Sequence, residues 1–210
     1  MKKYLHLCAF GVLLGAASCS KDSGKSGPLA RPISVEQLRT QLITLSDTLS
    51  GKWTVMAASD STKIEDMEEM LAALPPAVLP PDQRADLQKS IKRLSTLRYD
   101  RKTMSNSDMI DAYDMAHDSV YKALFAFLPD SGSTGIPRVD SLKNEIQAHH
   151  NEVVMYRSRY DVTAKEMNTL IRRYRKRLPR LGKPYDTLQP APLFQWVDNS
   201  KPNTETPEEE

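Results

Sequence analysis

The chain is short of cysteine, glycine and aromatic residues. Two cysteines, Cys8 and Cys19, occur among 210 residues, with eight glycines and 7% aromatic residues. Two cysteines cannot build a disulfide-stapled framework. So few glycines and aromatics argue against a β-sandwich and against a glycine-rich nucleotide-binding fold. Charge of one sign is lacking as well: the net charge is +2, and bulk electrostatics name no partner. The apolar run at residues 5–15 is too short to span a bilayer comfortably.

Catalytic signatures are also missing. No nucleophile elbow, zinc-protease motif or lone reactive cysteine is present, and Ser131-Gly132-Ser133-Thr134-Gly135 has the composition of a loop. Gly24-Lys25-Ser26 lacks the upstream glycine and buried strand of a phosphate-binding loop. No carboxylate stands alone in an apolar stretch that would raise its pKa for acid catalysis. His149 lies on an apolar seam without a second histidine four residues away, so it reads as a packed residue, and His117 reads as ordinary helix surface. The sequence thus calls for no enzyme, metal or cofactor.

What is present is helical periodicity. From 139 to 178 the positions Leu142, Ile146, His149, Val153, Tyr156, Tyr160, Thr163, Met167, Leu170 and Tyr174 recur at alternating intervals of four and three. That spacing returns side chains to one face and predicts a single helix of about 60 Å with a coiled-coil-like seam. Its partners are predicted upstream. Ser34 and Gln37 form a capping box for an arm over 34–74, with a bend expected at Ser59-Asp60-Ser61. Pro75 to Pro81 makes a corner, and Asp82 is expected to cap a second arm over 82–128, interrupted near 102–106 where Asn106 offers a fresh cap. Asp140 or Ser141 is the expected cap of the last arm. Long helices joined by short links pack antiparallel. The fold class is all-α: an elongated antiparallel bundle of three to four long helices over 34–196, closed by an extended strap carrying Leu181, Tyr185, Leu188, Leu193, Phe194 and Trp196. Residues 197–210 read as a disordered acidic tail.

The N-terminus carries an address. Lys2 and Lys3 precede the apolar run, which ends in Ala16-Ala17-Ser18-Cys19. Small residues followed at once by cysteine resemble a bacterial lipobox. Residues 1–18 are then a lipoprotein signal peptide, and Cys19 carries the lipid. Residues 19–33 form a flexible tether with a reach of roughly 20 Å. This places the chain in the bacterial cell envelope, held by lipid and facing the periplasm or the surface from the outer membrane, where nucleic acid is not an expected partner.

The C-terminal half resembles the LemA family of membrane-associated bacterial proteins. That family repeats a tyrosine–asparagine pair seven residues apart, with an arginine three residues before the first tyrosine. Here Tyr160-Asp161 and Met167-Asn168 occupy those places, Arg157 matches the arginine and Tyr174 a following aromatic. Asp161 replaces an asparagine, Met167 a tyrosine, and the first arm has no counterpart of the family's arginine-rich segment. The resemblance is to a divergent, lipoprotein-type member. It implies a membrane-held helical bundle acting as a scaffold or binding module, and no particular reaction.

Two groups of residues are candidate sites. Arg172, Arg173, Arg175, Lys176, Arg177, Arg180 and Lys183 crowd the end of the last helix, with Lys165 nearby and Glu166 the one acid between 165 and 183. They suit an acidic protein partner, an anionic lipid or a glycan. The alternatives are stabilisation of a helix C-terminus and contact with the acidic tail. Arg157, Asp161 and Asn168, with Tyr160, form a polar stripe beside the seam. They suit either a ligand groove or interhelical hydrogen bonds that fix register, and an Arg157–Asp161 pair is allowed at this spacing. An envelope hydrolase would need an acid–base pair assembled from distant arms.

Overall fold

The computed structural model describes residues 33–130 and 132–194. The expected signal peptide, Cys19, almost all of the expected tether, Trp196 and the expected disordered tail lie outside the described residues. Four α-helices account for the bundle, and no strand occurs among the described residues.

Helix α1 (Val35–Ala73) opens on the expected capping box. Ser34 Oγ accepts from Gln37 N at 3.0 Å, and Gln37 Oε1 accepts from Ser34 N at 2.8 Å. The bend expected at Ser59-Asp60-Ser61 is absent, and α1 runs through it and through Gly51. Polar side chains here leave the helix whole, because each finds a partner compatible with it. Ser61 Oγ bonds back to Ala57 O at 3.0 Å, Ser59 reaches His149, and Asp60 pairs with Lys63. At 39 residues α1 spans about 58 Å. Pro75 and Pro76 end it, and Arg84 donates to the exposed carbonyls of Leu71 and Leu74.

The second arm is not one long helix. It divides into α2 (Pro81–Leu97) and α3 (Ser107–Phe125), which fold back on each other. The divider is a self-contained turn. Asp100 Oδ1 accepts the backbone N–H groups of Lys102 and Thr103, both at 2.8 Å, while Tyr99 and Met104 are buried on either side. Asn106 caps α3, as its sequence suggests, through its bond from Asp108 N. Asp82 is no cap, because α2 starts at Pro81 with Pro80 before it.

Helix α4 (Pro137–Tyr174) likewise starts on proline. Neither Asp140 nor Ser141 caps it. Asp140 instead accepts from Thr134 N at 2.8 Å and from the Ser133 hydroxyl, folding the preceding loop onto the helix. α4 stops at Tyr174, short of the expected 178. Turns and 3₁₀ segments at Leu178–Leu181 and Tyr185–Thr187 follow, and Gly182, at φ +70, makes the turn between them.

α1 and α4 are antiparallel along their length. Arg138 grips Glu69 at one end through bonds of 2.6 and 2.5 Å. Ser59 meets His149 and Lys52 meets Thr163 in the middle, and Arg39 donates to Leu181 O at 3.2 Å at the other end. The α2–α3 hairpin packs on one half only. There Met67, Met70 and Leu71 of α1 meet Ile91 and Leu94, Val120 and Leu124, and Leu142 and Ile146 in one four-helix core. In the other half Leu38, Leu42 and Leu49 face Ala164, Met167 and Ile171, with Leu178 and Leu181 buried beside them.

Candidate binding groove

Where the α2–α3 hairpin ends, a cluster of aromatic rings fills the angle between α1 and α4. Trp53 comes from the middle of α1, Tyr160 from α4 and Tyr99 from the turn after α2. Phe194 enters from the extended segment that follows the last 3₁₀ turn. Its ring lies parallel to Trp53 with centroids 6.3 Å apart, and makes edge contacts with Tyr160 at 5.6 Å and Tyr99 at 5.9 Å. The Arg157 guanidinium covers it from another side, 5.2 Å from the ring centroid.

Arg157 is held independently of Phe194. It forms a two-pronged pair with Asp114 of α3, both bonds 2.6 Å, and donates to Tyr99 Oη at 3.0 Å. Burial opposes its charge, but the bonds from Asp114 and the nearby oxygens outweigh it and hold the guanidinium above its ordinary pKa. Burial pushes the Tyr99 hydroxyl up to about 12 despite the opposing pull of Arg157, and burial raises Tyr160 too. The allowed Arg157–Asp161 pair is not formed.

Asp161 and Asn168 instead hold the strap by its backbone. Asn168 makes a two-way bond with Ala191, donating from Nδ2 to its carbonyl at 2.8 Å and accepting its N–H at Oδ1 at 2.7 Å. Asp161 Oδ1 accepts from Phe194 N at 2.9 Å. These two residues are one turn-pair apart on one face of α4, so they meet an extended chain three residues apart. The polar stripe therefore divides: Arg157 makes an interhelical pair of the expected kind, with Asp114 of α3, while Asp161 and Asn168 reach the strap instead of another helix.

No protein-family model, curated protein or solved structure matches this chain.

The cationic group stands apart from the groove. Arg172 and Arg173 end α4, while Arg175, Lys176 and Arg177 lie in the turn beyond, and Arg180 and Lys183 flank the next one. Arg177 is half-buried with its guanidinium 5.5 Å from the Tyr174 ring centroid, and the other six are exposed. None of the seven pairs with an acid among the described residues. Arg172, Arg173 and the cap residue Arg175 lie at the C-terminus of α4, where its dipole favours them, while Arg180 and Lys183 lie beyond its reach.

On the far side of Arg157 a cleft of about 340 Å³ opens between α1, α3 and α4. Lys63 is buried there 3.3 Å from Asp60, and Tyr113 Oη donates to Asp60 Oδ2 at 3.3 Å. His117 is buried at 4% exposure against the Tyr113 ring, with no hydrogen-bond partner for either ring nitrogen, so it is not helix surface. Burial pulls it down to about 3, and Lys63 acts in the same direction. Asp66, on the next turn of α1, corrects a second expectation: burial, then Glu145, raises its pKa. His149, on the seam, is half-buried and bonded to Ser59 Oγ at 2.9 Å. His150 and Asp118 approach to 3.9 Å, beyond hydrogen-bond distance, so the cleft contains no assembled acid–base pair between them.

Trp53, Tyr99 and Asp114 were not singled out as site residues from sequence. A tyrosine between Arg98 and Asp100 in an otherwise polar break was the available signal, since a buried ring is what such a turn can contribute to a core.

Proposed function

We propose that this chain is a lipid-anchored binding or scaffold module of the bacterial cell envelope, non-enzymatic and of the LemA type, held through Cys19 at the outer membrane and facing the periplasm or surface. The observation that supports this reading is where the chain enters the bundle. The Arg39–Leu181 bond brings the first turns of α1 to the end that carries Arg172 to Lys183. A lipid on Cys19, reached through a tether of roughly 20 Å, keeps those cations within range of anionic headgroups. No helix among the described residues is long and apolar enough to cross a membrane, so attachment in this reading rests on lipid and charge.

Cys19→Ala should shift the protein from the membrane to the soluble fraction of fractionated cells; retention in the membrane would refute the lipid anchor. The cations have a separate test. Replacing Arg172, Arg173, Arg175 and Lys176 by glutamine in the Cys19→Ala chain should weaken binding to phosphatidylglycerol vesicles at low salt, by about 1 kcal/mol per cation removed. Equal, salt-independent binding by both proteins would leave a neutral glycan or a protein surface as the partner of this end.

A further inference from the structure

The strap is held in the manner of a bound peptide. Over residues 191–194 it is held by three hydrogen bonds between its backbone and the Asn168 and Asp161 side chains, and by one inserted ring, Phe194. Side chains that bond to backbone atoms read an extended chain whatever its sequence, and one pocket for one side chain then sets the preference. The wall of the pocket does not depend on the strap. Arg157 is fixed by Asp114 and Tyr99, and the Tyr99 ring packs edge-on against Tyr113 with centroids 5.4 Å apart. A site whose residues are braced from behind keeps its shape when its occupant leaves, and a preorganised site binds more tightly. The occupant itself is lightly seated. Ala191 to Phe194 are only half-buried and no helix or strand includes them.

We propose that this groove is a recognition site for an extended peptide segment of a partner protein, one that presents an aromatic side chain three residues after the residue bonded by Asn168. Residues 188–194 are its resident occupant in cis. The partner segment competes with the strap for the same three backbone bonds and the same ring pocket between Trp53, Tyr99, Tyr160 and Arg157. This is a second surface, separate from the cationic end and independent of how the chain is anchored.

The test uses the whole chain carrying Phe194→Ala, which empties the ring pocket and leaves the rest of the strap in place. A fluorescein-labelled peptide of residues 187–195 should bind this variant at least tenfold more tightly than it binds the wild type, whose own strap blocks the groove. The same peptide with alanine for phenylalanine should lose that gain, and adding Asn168→Ala to the variant should weaken binding at least tenfold. Where Phe194→Ala abolishes the thermal unfolding transition, Ala191→Pro serves instead, because it removes the N–H bonded by Asn168 and loosens the strap, so that the added peptide displaces it from the ring pocket. A folded variant that binds the peptide no better than wild type, or equally well without Asn168, overturns the proposal and leaves the strap as a purely structural element.

Discussion

Replacing Asp114 by alanine should destabilise the fold by about 3–4 kcal/mol, and replacing its partner Arg157 by methionine should cost less, about 2 kcal/mol. The asymmetry follows from where each charge lies. The Arg157 side chain is 16% exposed and that of Asp114 is 41% exposed. Without Asp114, the guanidinium stays under Phe194 and Tyr99 with one bond, to the Tyr99 hydroxyl. Without Arg157, the Asp114 carboxylate turns toward water, and methionine retains the apolar stem that packs on the rings. Urea unfolding of both variants checks the order. Equal losses, or a larger loss at Arg157, would show that the pair does not stand at a boundary between interior and solvent.

The second large effect is in the acid range and comes from His117. Its ordinary value is 6.5 and burial holds it near 3 in the folded protein. Above 6.5 the imidazole is neutral in both states and contributes no pH dependence. Between 6.5 and 3 the unfolded chain takes up a proton that the folded chain refuses, so stability falls with pH by about 1.4 kcal/mol per unit. Below 3 the dependence levels off. Lys63, His150 and Arg98 face the ring and disfavour its charge, whereas Asp114 favours it. Asp66 works in the opposite sense: its raised pKa means the folded state holds its proton more tightly, so protonation on acidification stabilises. His117→Leu isolates the histidine. At pH 7.5 the variant should be as stable as wild type or somewhat more so, since two unpartnered ring nitrogens are removed from the interior. At pH 4.5 the wild type should be weaker than the variant by about 2–3 kcal/mol beyond any difference at pH 7.5. Parallel stability profiles for the two proteins would show that the ring is solvated in solution.

Much of this fold was legible in sequence because helices announce themselves by spacing. Leu142, Ile146, Tyr160, Thr163 and Met167 are buried where the four-three pattern puts them, and the Ser34 capping box forms as written. Errors arose wherever a local signal competed with tertiary partners. Ser59-Asp60-Ser61 reads as a bend, yet partners on α3, α4 and α1 itself satisfy those side chains and keep the helix whole. The break near 102–106 was visible, but periodicity on either side cannot say whether the chain continues onward or reverses. Asp114 and Asp118 beside His117 suggest helix surface in the sequence, yet the ring is buried against Tyr113. The groove was only half legible. Arg157, Asp161 and Asn168 stood out as a stripe on one helix, but their partners lie 43, 33 and 23 residues away, and nothing in the spacing points to them.

The pairing of α1 with α4 also bears on the order of events during synthesis. α1 is made first, and its main partner is the last long helix to emerge. The α2–α3 hairpin is local and can form early, but the seam along Leu38, Leu42 and Leu49 stays uncovered until residues beyond 160 exist. Closing that long intervening loop is entropically slow, so the seam between α1 and α4 stays open until α4 has been made. A polypeptide that delays its own compaction in this way leaves the apolar stripe of α1 open to any other apolar surface for most of its synthesis.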